Sequence, residues 1–297
     1  MPRKRTFNLR VHLEETGENF RVRGCRSDMK IGELKSKLEL ITAIPTTFQR
    51  LYYFDEGEMP DNVTLKFNGV ISGGKIRMKT WSQDGWKNLF RAAALGNIQE
   101  LLSLGATKFS DYSNPNLRGM SAEQRAAWIA ERSFVALLIT SHRGHINAVK
   151  FLLMNGADMN TRTADGHSAL HMAVSGGRGQ CINHLLQRGA DIQGTDNKGQ
   201  TVLDLARVTG HKENFGKILL FQWARRTANL KPPNPIQRTG LFAHQMYDST
   251  LKTWQVGTHK KVYMATLLKT PESQHASGPT PTKPKAGSSK AQKTTQS

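Results

Sequence analysis

One spacing constrains this chain more than any other feature. Leu137, Leu170 and Leu203 recur every 33 residues, and so do Gly144, Gly177 and Gly210. Gly156 and Gly189, each followed by Ala-Asp, keep the same period, as do Gly166 and Gly199. Four independent series at one period describe stacked units, each too small to bury its apolar face alone, whose neighbours complete a shared core. Ser168 and Thr201 are placed to cap a helix through their side-chain oxygens. Leu170 and Leu203 then enter the shared core, and Gly177 and Gly210 supply the left-handed backbone that ends the helix.

The period, the run Ser168-Ala169-Leu170-His171 and the Gly-Ala-Asp closing each unit resemble the ankyrin repeat over residues 134–221. The resemblance implies a structural role for His171. Units are expected at 134–160, 167–193 and 200–227, within a repeat region spanning 84–227. A degenerate front unit is expected at 86–106, because Leu89 stands before Gly96 as Leu137 does before Gly144. Its second helix should be short, since Gly105 follows Gly96 after nine residues instead of twelve. An insertion, 107–133, separates this unit from the next. Within it, Ser121-Ala122-Glu123-Gln124 reads as a capping box opening a helix through Trp128 and Ile129; the insertion is either a binding loop or, as its apolar residues favour, a helix expected to pack back on the array. Gln222 replaces the closing glycine of the last unit, so its final helix runs on towards Trp223 and ends the array.

The first 80 residues have a different rhythm. Phe7, Leu9, Val11 and Leu13 alternate with polar residues, Glu14-Glu15-Thr16-Gly17-Glu18 turns, and Phe20 and Val22 resume the alternation, which is a hairpin with one buried face. Asp28 is a candidate N-cap before Ile31, Leu34, Leu38 and Ile41, spaced as one face of a helix that Pro45 stops. Strands follow at 50–54 and around Ile76, Met78 and Thr80. Ile44-Pro45, Gln49-Arg50-Leu51, Gly57, Asp61, Thr64-Leu65, Gly69, Gly74 and Ile76 resemble the second half of the ubiquitin-like β-grasp family, giving a domain at 6–80. The small aliphatic partner patch of ubiquitin is replaced here by Tyr52 and Lys79. Gly73-Gly74 lies in a turn of a continuing chain, so the segment is a built-in module and not a conjugated modifier.

The fold class expected is therefore α+β: an N-terminal ubiquitin-like β-grasp, then an all-α ankyrin solenoid, then a largely disordered basic tail. Residues 228–268, opened by Lys231-Pro232-Pro233, hold apolar residues without clean periodicity, and 269–297 contain nothing apolar larger than alanine and are expected to be disordered. Of the formal charge of +19, residues 1–80 carry +5, 81–221 carry +4, 222–268 carry +6 and 269–297 carry +4. The basic excess thus reads as a property of the C-terminal quarter. That tail lacks the aromatics that stack on bases, so a solvated appendage is favoured over a nucleic-acid contact.

Cys25 and Cys181, the two cysteines of the chain, exclude a disulfide framework. The longest apolar run, 134–139, is far below the length of a membrane span, and MPRKR does not open a secretion signal. An intracellular protein, cytoplasmic or nuclear, and a monomer are expected. Enzyme signatures are not found. Gly176-Gly177-Arg178-Gly179-Gln180 lacks the Lys-Ser/Thr of a phosphate loop, and His167/His171 and Cys181/His184 lack a full ligand set for a metal. No catalytic residue, cofactor or metal site is expected.

The function this implies is non-enzymatic: a scaffold or adaptor holding an as yet unidentified protein through ankyrin hairpin tips and the concave face. The tips are Thr161, Arg162, Thr163, Ala164, Asp165 and His167, then Thr195, Asn197, Lys198 and Gln200, with Tyr52 the candidate contact on the ubiquitin-like module. Two alternatives are a ubiquitin-system adaptor acting through that module and a nucleic-acid-binding protein driven by the basic C-terminal region.

Overall fold

A computed structural model describes residues 6–54, 57–110, 112 and 115–228, together with the backbone of three strands between 242 and 263. The chain divides into two units, Met1–Asn229 and Leu230–Ser297. In the first unit, strands β1 (Phe7–Leu13), β2 (Asn19–Cys25), β3 (Gln49–Tyr53) and β4 (Lys75–Thr80) form one sheet in the order β2-β1-β4-β3. β1 runs parallel to β4, and the other neighbours are antiparallel. Alternation turns Leu9, Val11, Leu13, Val22, Leu51, Ile76 and Met78 inward, where they meet Ile31, Leu34 and Leu38 of helix α1 (Ile31–Thr42). Asp28 does not cap that helix. Lys30 occupies the cap without a side-chain bond, because the helix starts at Ile31 and Asp28 stands two residues too early to reach its first turn as a cap; the Asp28 carboxylate lies 3.0 Å from Arg26 instead.

The helical part of the unit begins with α2 (Trp86–Leu95) and the six-residue α3 (Ile98–Ser103), whose brevity fits the shortened Gly96 to Gly105 interval. Three helix pairs follow: α4 (Ala122–Arg143) with α5 (Ile146–Met154), α6 (Ala169–Ser175) with α7 (Gly179–Gln187), and α8 (Val202–Thr209) with α9 (Lys212–Ala228). The capping box at the head of α4 is formed, Gln124 N–H donating to Ser121 Oγ at 3.2 Å and Ser121 N–H to Gln124 Oε1 at 2.9 Å. From there α4 runs through 22 residues to Gly144, across the expected boundary between insertion and repeat. Nothing between Ala122 and Arg143 breaks a helix, since neither glycine nor proline interrupts the stretch. The insertion helix and the first helix of the next repeat are one rod.

The rod is fixed by Arg132, which is fully buried. Its guanidinium donates to Leu104 O at 2.8 Å and Asp84 O at 2.9 Å and lies 4.8, 4.4 and 5.1 Å from the rings of Trp86, Trp128 and Tyr112. Burial lowers its pKa to about 10, opposed by Tyr112, Asp84 and Glu131, so the side chain stays charged at neutral pH.

In the second unit, β5 (Phe242–Gln245), β6 (Lys252–Val256) and β7 (His259–Tyr263) pair antiparallel in chain order. These short strands lie within residues 228–268, where no clean period is legible. The expected disordered tail at 269–297 lies outside the described residues.

Candidate functional site

The hairpin before α6 is built by its own backbone. Thr163 N–H donates to His167 O at 2.9 Å, Gly166 N–H to Thr163 O at 2.9 Å and His167 N–H to Thr163 Oγ1 at 3.1 Å. Gly166 takes the positive φ of 87° that closes the turn. The next hairpin is organised by Asp196, whose Oδ1 accepts from the N–H groups of Lys198 and Gln200 at 2.9 and 2.8 Å. The two tips are stitched together: Arg162 donates to Thr195 O at 2.7 Å and pairs with Asp191 at 3.0 Å, and Asn197 donates to Ala164 O at 2.7 Å.

The first tip is not free. Glu39 of α1, completely buried, reaches it from the N-terminal domain. Its Oε1 accepts from Thr163 Oγ1 at 2.5 Å and from His167 Nδ1 at 2.6 Å, while its Oε2 accepts from the Thr46 N–H at 2.9 Å. His167, only 1% exposed, turns its other nitrogen towards Asp196 Oδ2 at 3.6 Å. One imidazole thus stands between a carboxylate of the N-terminal domain and a carboxylate of the next hairpin. Around it, Ser175 Oγ donates to Leu40 O at 2.5 Å, Arg143 pairs with Glu18 at 2.7 Å and lies 5.4 Å from the Phe20 ring, and Phe48 packs 4.5 Å from Trp86 and 5.5 Å from Phe90. The contact is polar at the hairpin and aromatic where Phe48 meets α2.

This placement corrects the expected exposure of the first tip. Thr161 and Ala164 are exposed, Arg162, Thr163 and Asp165 half-buried, and His167 is interior, because the chain's own α1 covers it. In the second tip Thr195, Asn197 and Lys198 are exposed and Gln200 half-buried. Tyr52 is half-buried in β3, with Lys79 Nζ 5.4 Å from its ring centroid. It lies on the sheet and apart from the tips.

Glu39, Asp165 and His167 place their donor atoms within 4.8 Å of one another. They are the described residues best placed to hold a divalent ion, but Glu39 Oε1 and His167 Nδ1 are already joined by a direct hydrogen bond, while His167 Nε2 and Asp165 Oδ2 have no hydrogen-bond partner among the described residues. His171 is engaged locally: the Ser168 N–H donates to its Nδ1 at 3.2 Å. A ring nitrogen that accepts belongs to a neutral imidazole, and burial followed by the neighbouring His167 and Arg162 depresses the His171 pKa to about 4. His142 is lowered to about 3 by burial, Arg143 and Arg178, against a hydrogen bond to the Leu40 backbone. Burial raises the Cys181 thiol to about 11 and also raises Cys25, so neither is an activated nucleophile. Glu39 is not conspicuous in the sequence because it stands beside the apolar positions of α1. The signal was a polar stripe of Lys35, Glu39 and Thr42 on a flank that the structure buries.

Comparison with known proteins decides the kind of helical array. A family model of ankyrin repeats, in three copies, matches residues 137–228. The helical region is an ankyrin-repeat array. A ubiquitin-like domain model matches residues 6–67, in agreement with the sheet order and the crossing helix. Putative ankyrin repeat protein L271 of Acanthamoeba polyphaga mimivirus is 32% identical over 105 residues, 35% of this chain and 14% of that protein. Human ankyrin repeat and SOCS box protein 16 is 28% identical over 123 residues, 38% of this chain and 26% of that protein. The probable E3 ubiquitin-protein ligase XBOS31 of Oryza sativa subsp. japonica is 31% identical over 133 residues, 44% and 27%. The chain therefore matches between 14% and 27% of the length of these relatives. No helix among the described residues is long and apolar enough to cross a membrane.

Proposed function

We propose that this chain is a non-enzymatic, intracellular adaptor whose ankyrin array binds a protein partner at the second hairpin tip, with the first tip reserved for its own ubiquitin-like domain. The observation that carries this reading is the contrast between the tips. Glu39 occupies Thr163 and His167, whereas Thr195, Asn197 and Lys198 stand exposed on a turn held rigid by Asp196. Exposed polar side chains on a rigid turn bind without the cost of ordering a loop. Two free, buried cysteines support a reducing compartment. Affinity purification with the full chain, compared with an Asn197→Ala, Lys198→Glu form, tests it. Proteins enriched with the first and lost with the second support the reading; identical recovery defeats it.

A second reading, an adaptor of the ubiquitin system, draws on the ubiquitin-like domain and on relatives named for a SOCS box and for E3 ligase activity. Against it stands the sheet face, where Tyr52 and Lys79 replace an aliphatic patch. Recovery of ligase or proteasome components by the full chain, abolished by Tyr52→Ala with Lys79→Glu, would favour it.

A further inference from the structure

The four strands of the ubiquitin-like sheet contain no Asp or Glu and seven Lys or Arg: Arg10, Arg21, Arg23, Arg50, Lys75, Arg77 and Lys79. The inward positions of the alternation are apolar or uncharged, so the cations fall outside the core. Arg10 lies directly opposite Arg21 on one side and Lys75 on the other, and Arg50 lies opposite Lys79. Directly opposed residues have their Cβ atoms about 4.5–5.5 Å apart, and like charges there repel. Glu14 approaches Arg77 and Lys79 at 3.9 and 3.5 Å, and Glu58 approaches Arg50 at 3.5 Å. Arg10, Arg21 and Lys75 are exposed, with no acidic side chain of the described residues within 4 Å. A sheet that sets three such cations in one row across three strands bears a repulsion that a bound polyanion would relieve.

We propose that this face binds a single strand of nucleic acid, its phosphates lying along the row of Arg21, Arg10 and Lys75 and a base stacking on Tyr52. A nucleic acid is favoured over an acidic protein by what the face lacks. Protein interfaces centre on a charge-depleted, apolar or aromatic core, whereas this face is charged at its middle. Interfaces with nucleic acids are the more polar and more positively charged kind. Tyr52 sits opposite Arg77 on the outward side of β3, and Trp81 continues β4 with Arg50 4.9 Å from its ring. These rings interleaved with cations are the arrangement that holds bases without reading sequence. The site goes beyond the adaptor reading and is separate from the hairpin tips.

Fluorescence anisotropy with the full chain and a labelled mixed-sequence oligonucleotide of about 20 nucleotides tests it. Arg10→Gln, Arg21→Gln, Lys75→Gln together should weaken binding about tenfold or more at low salt and lower the salt-dependence slope by about two. These positions are exposed and mutually repulsive, so circular dichroism should show the melting temperature held or raised. Tyr52→Ala should weaken oligonucleotide binding about fivefold or more while leaving inorganic polyphosphate binding unchanged. Undiminished binding by the triple variant, with loss in a Lys283→Gln, Lys285→Gln, Lys290→Gln, Lys293→Gln form, would move the charge effect to the tail and overturn the proposal. A polyglutamate peptide binding as tightly as the oligonucleotide, with Tyr52→Ala affecting neither, would assign the face to an acidic protein and overturn it too.

Discussion

Removing the Glu39 carboxylate strands three donors at once, Thr163 Oγ1, His167 Nδ1 and the Thr46 N–H, in a place water does not reach. Breaking a buried pair of this kind costs about 3–5 kcal/mol, most of it the desolvation of the abandoned partners. Glu39→Ala should lower the urea-unfolding free energy by about that amount, and Glu39→Gln, which keeps two acceptor sites, by less. Combined with His167→Ala, the two losses should fall short of additive by 0.5 kcal/mol or more, the mark of direct contact. A cycle that adds would dissociate the residues. Arg132 is the other polar anchor. Arg132→Ala removes three cation–ring contacts and the donors to Leu104 O and Asp84 O, so a loss of about 3 kcal/mol or more is expected. A change in tryptophan emission should accompany it, because Trp86 and Trp128 lose their shared neighbour.

Among the elements, α4 shows which features of the chain are legible in its sequence. The capping box at Ser121 and the stop at Gly144 are both readable, since each rests on the chemistry of a few adjacent residues. The continuity between them is not, because a repeat period marks where units recur and is silent about a helix that begins one insertion earlier. Asp28 does not cap α1 for a related reason: apolar spacing marks a helix face but not its first residue, and with the helix starting at Ile31 the cap falls on Lys30. Ser121→Ala should destabilise the chain by about 1 kcal/mol, with protection from hydrogen exchange lost first in the turn beginning at Ala122. Gly176 tests the packing of α4 on α6. A Cβ there would collide with the His142 carbonyl oxygen, and backbone cannot swing aside as a side-chain end does. Gly176→Ala should therefore cost at least about 1–3 kcal/mol by overpacking despite being a favourable exchange for a helix end, and thermal denaturation would show a lowered midpoint. A raised midpoint would mean the two helices are free to separate.

Across the whole molecule, the union of the two domains was the least legible property. The +5 of residues 1–80 is unremarkable as a sum, yet strand alternation sends the seven strand cations to one face of the sheet, and no strand carries an acid. In the same way the repeat period located the hairpin tips, but could not say that one of them is occupied, because the occupant lies 124 residues away in the sequence. The seam between the domains also joins two histidines that the fold keeps neutral. His142 lies at the Leu40 backbone with a pKa of about 3, and His171 neighbours His167 with a pKa of about 4, burial being the largest cause in each case. Unfolded, both would titrate near about 6.5. Below that pH the unfolded chain binds protons that the folded chain refuses, so stability falls as pH falls, between about 6.5 and the folded values. Each histidine contributes a slope of up to about 1.4 kcal/mol per pH unit in that window. The urea midpoint should accordingly drop from pH 7 to about pH 5, and the drop should shrink in a His142→Gln chain, which has no proton to refuse at that position. Because both rings sit at or beside the seam, acid should release the ubiquitin-like domain from the array before the repeats themselves unfold. Proteolysis near Trp81 that begins at a higher pH than the loss of helical ellipticity would show this order; simultaneous onset would show that the seam and the repeats unfold as one.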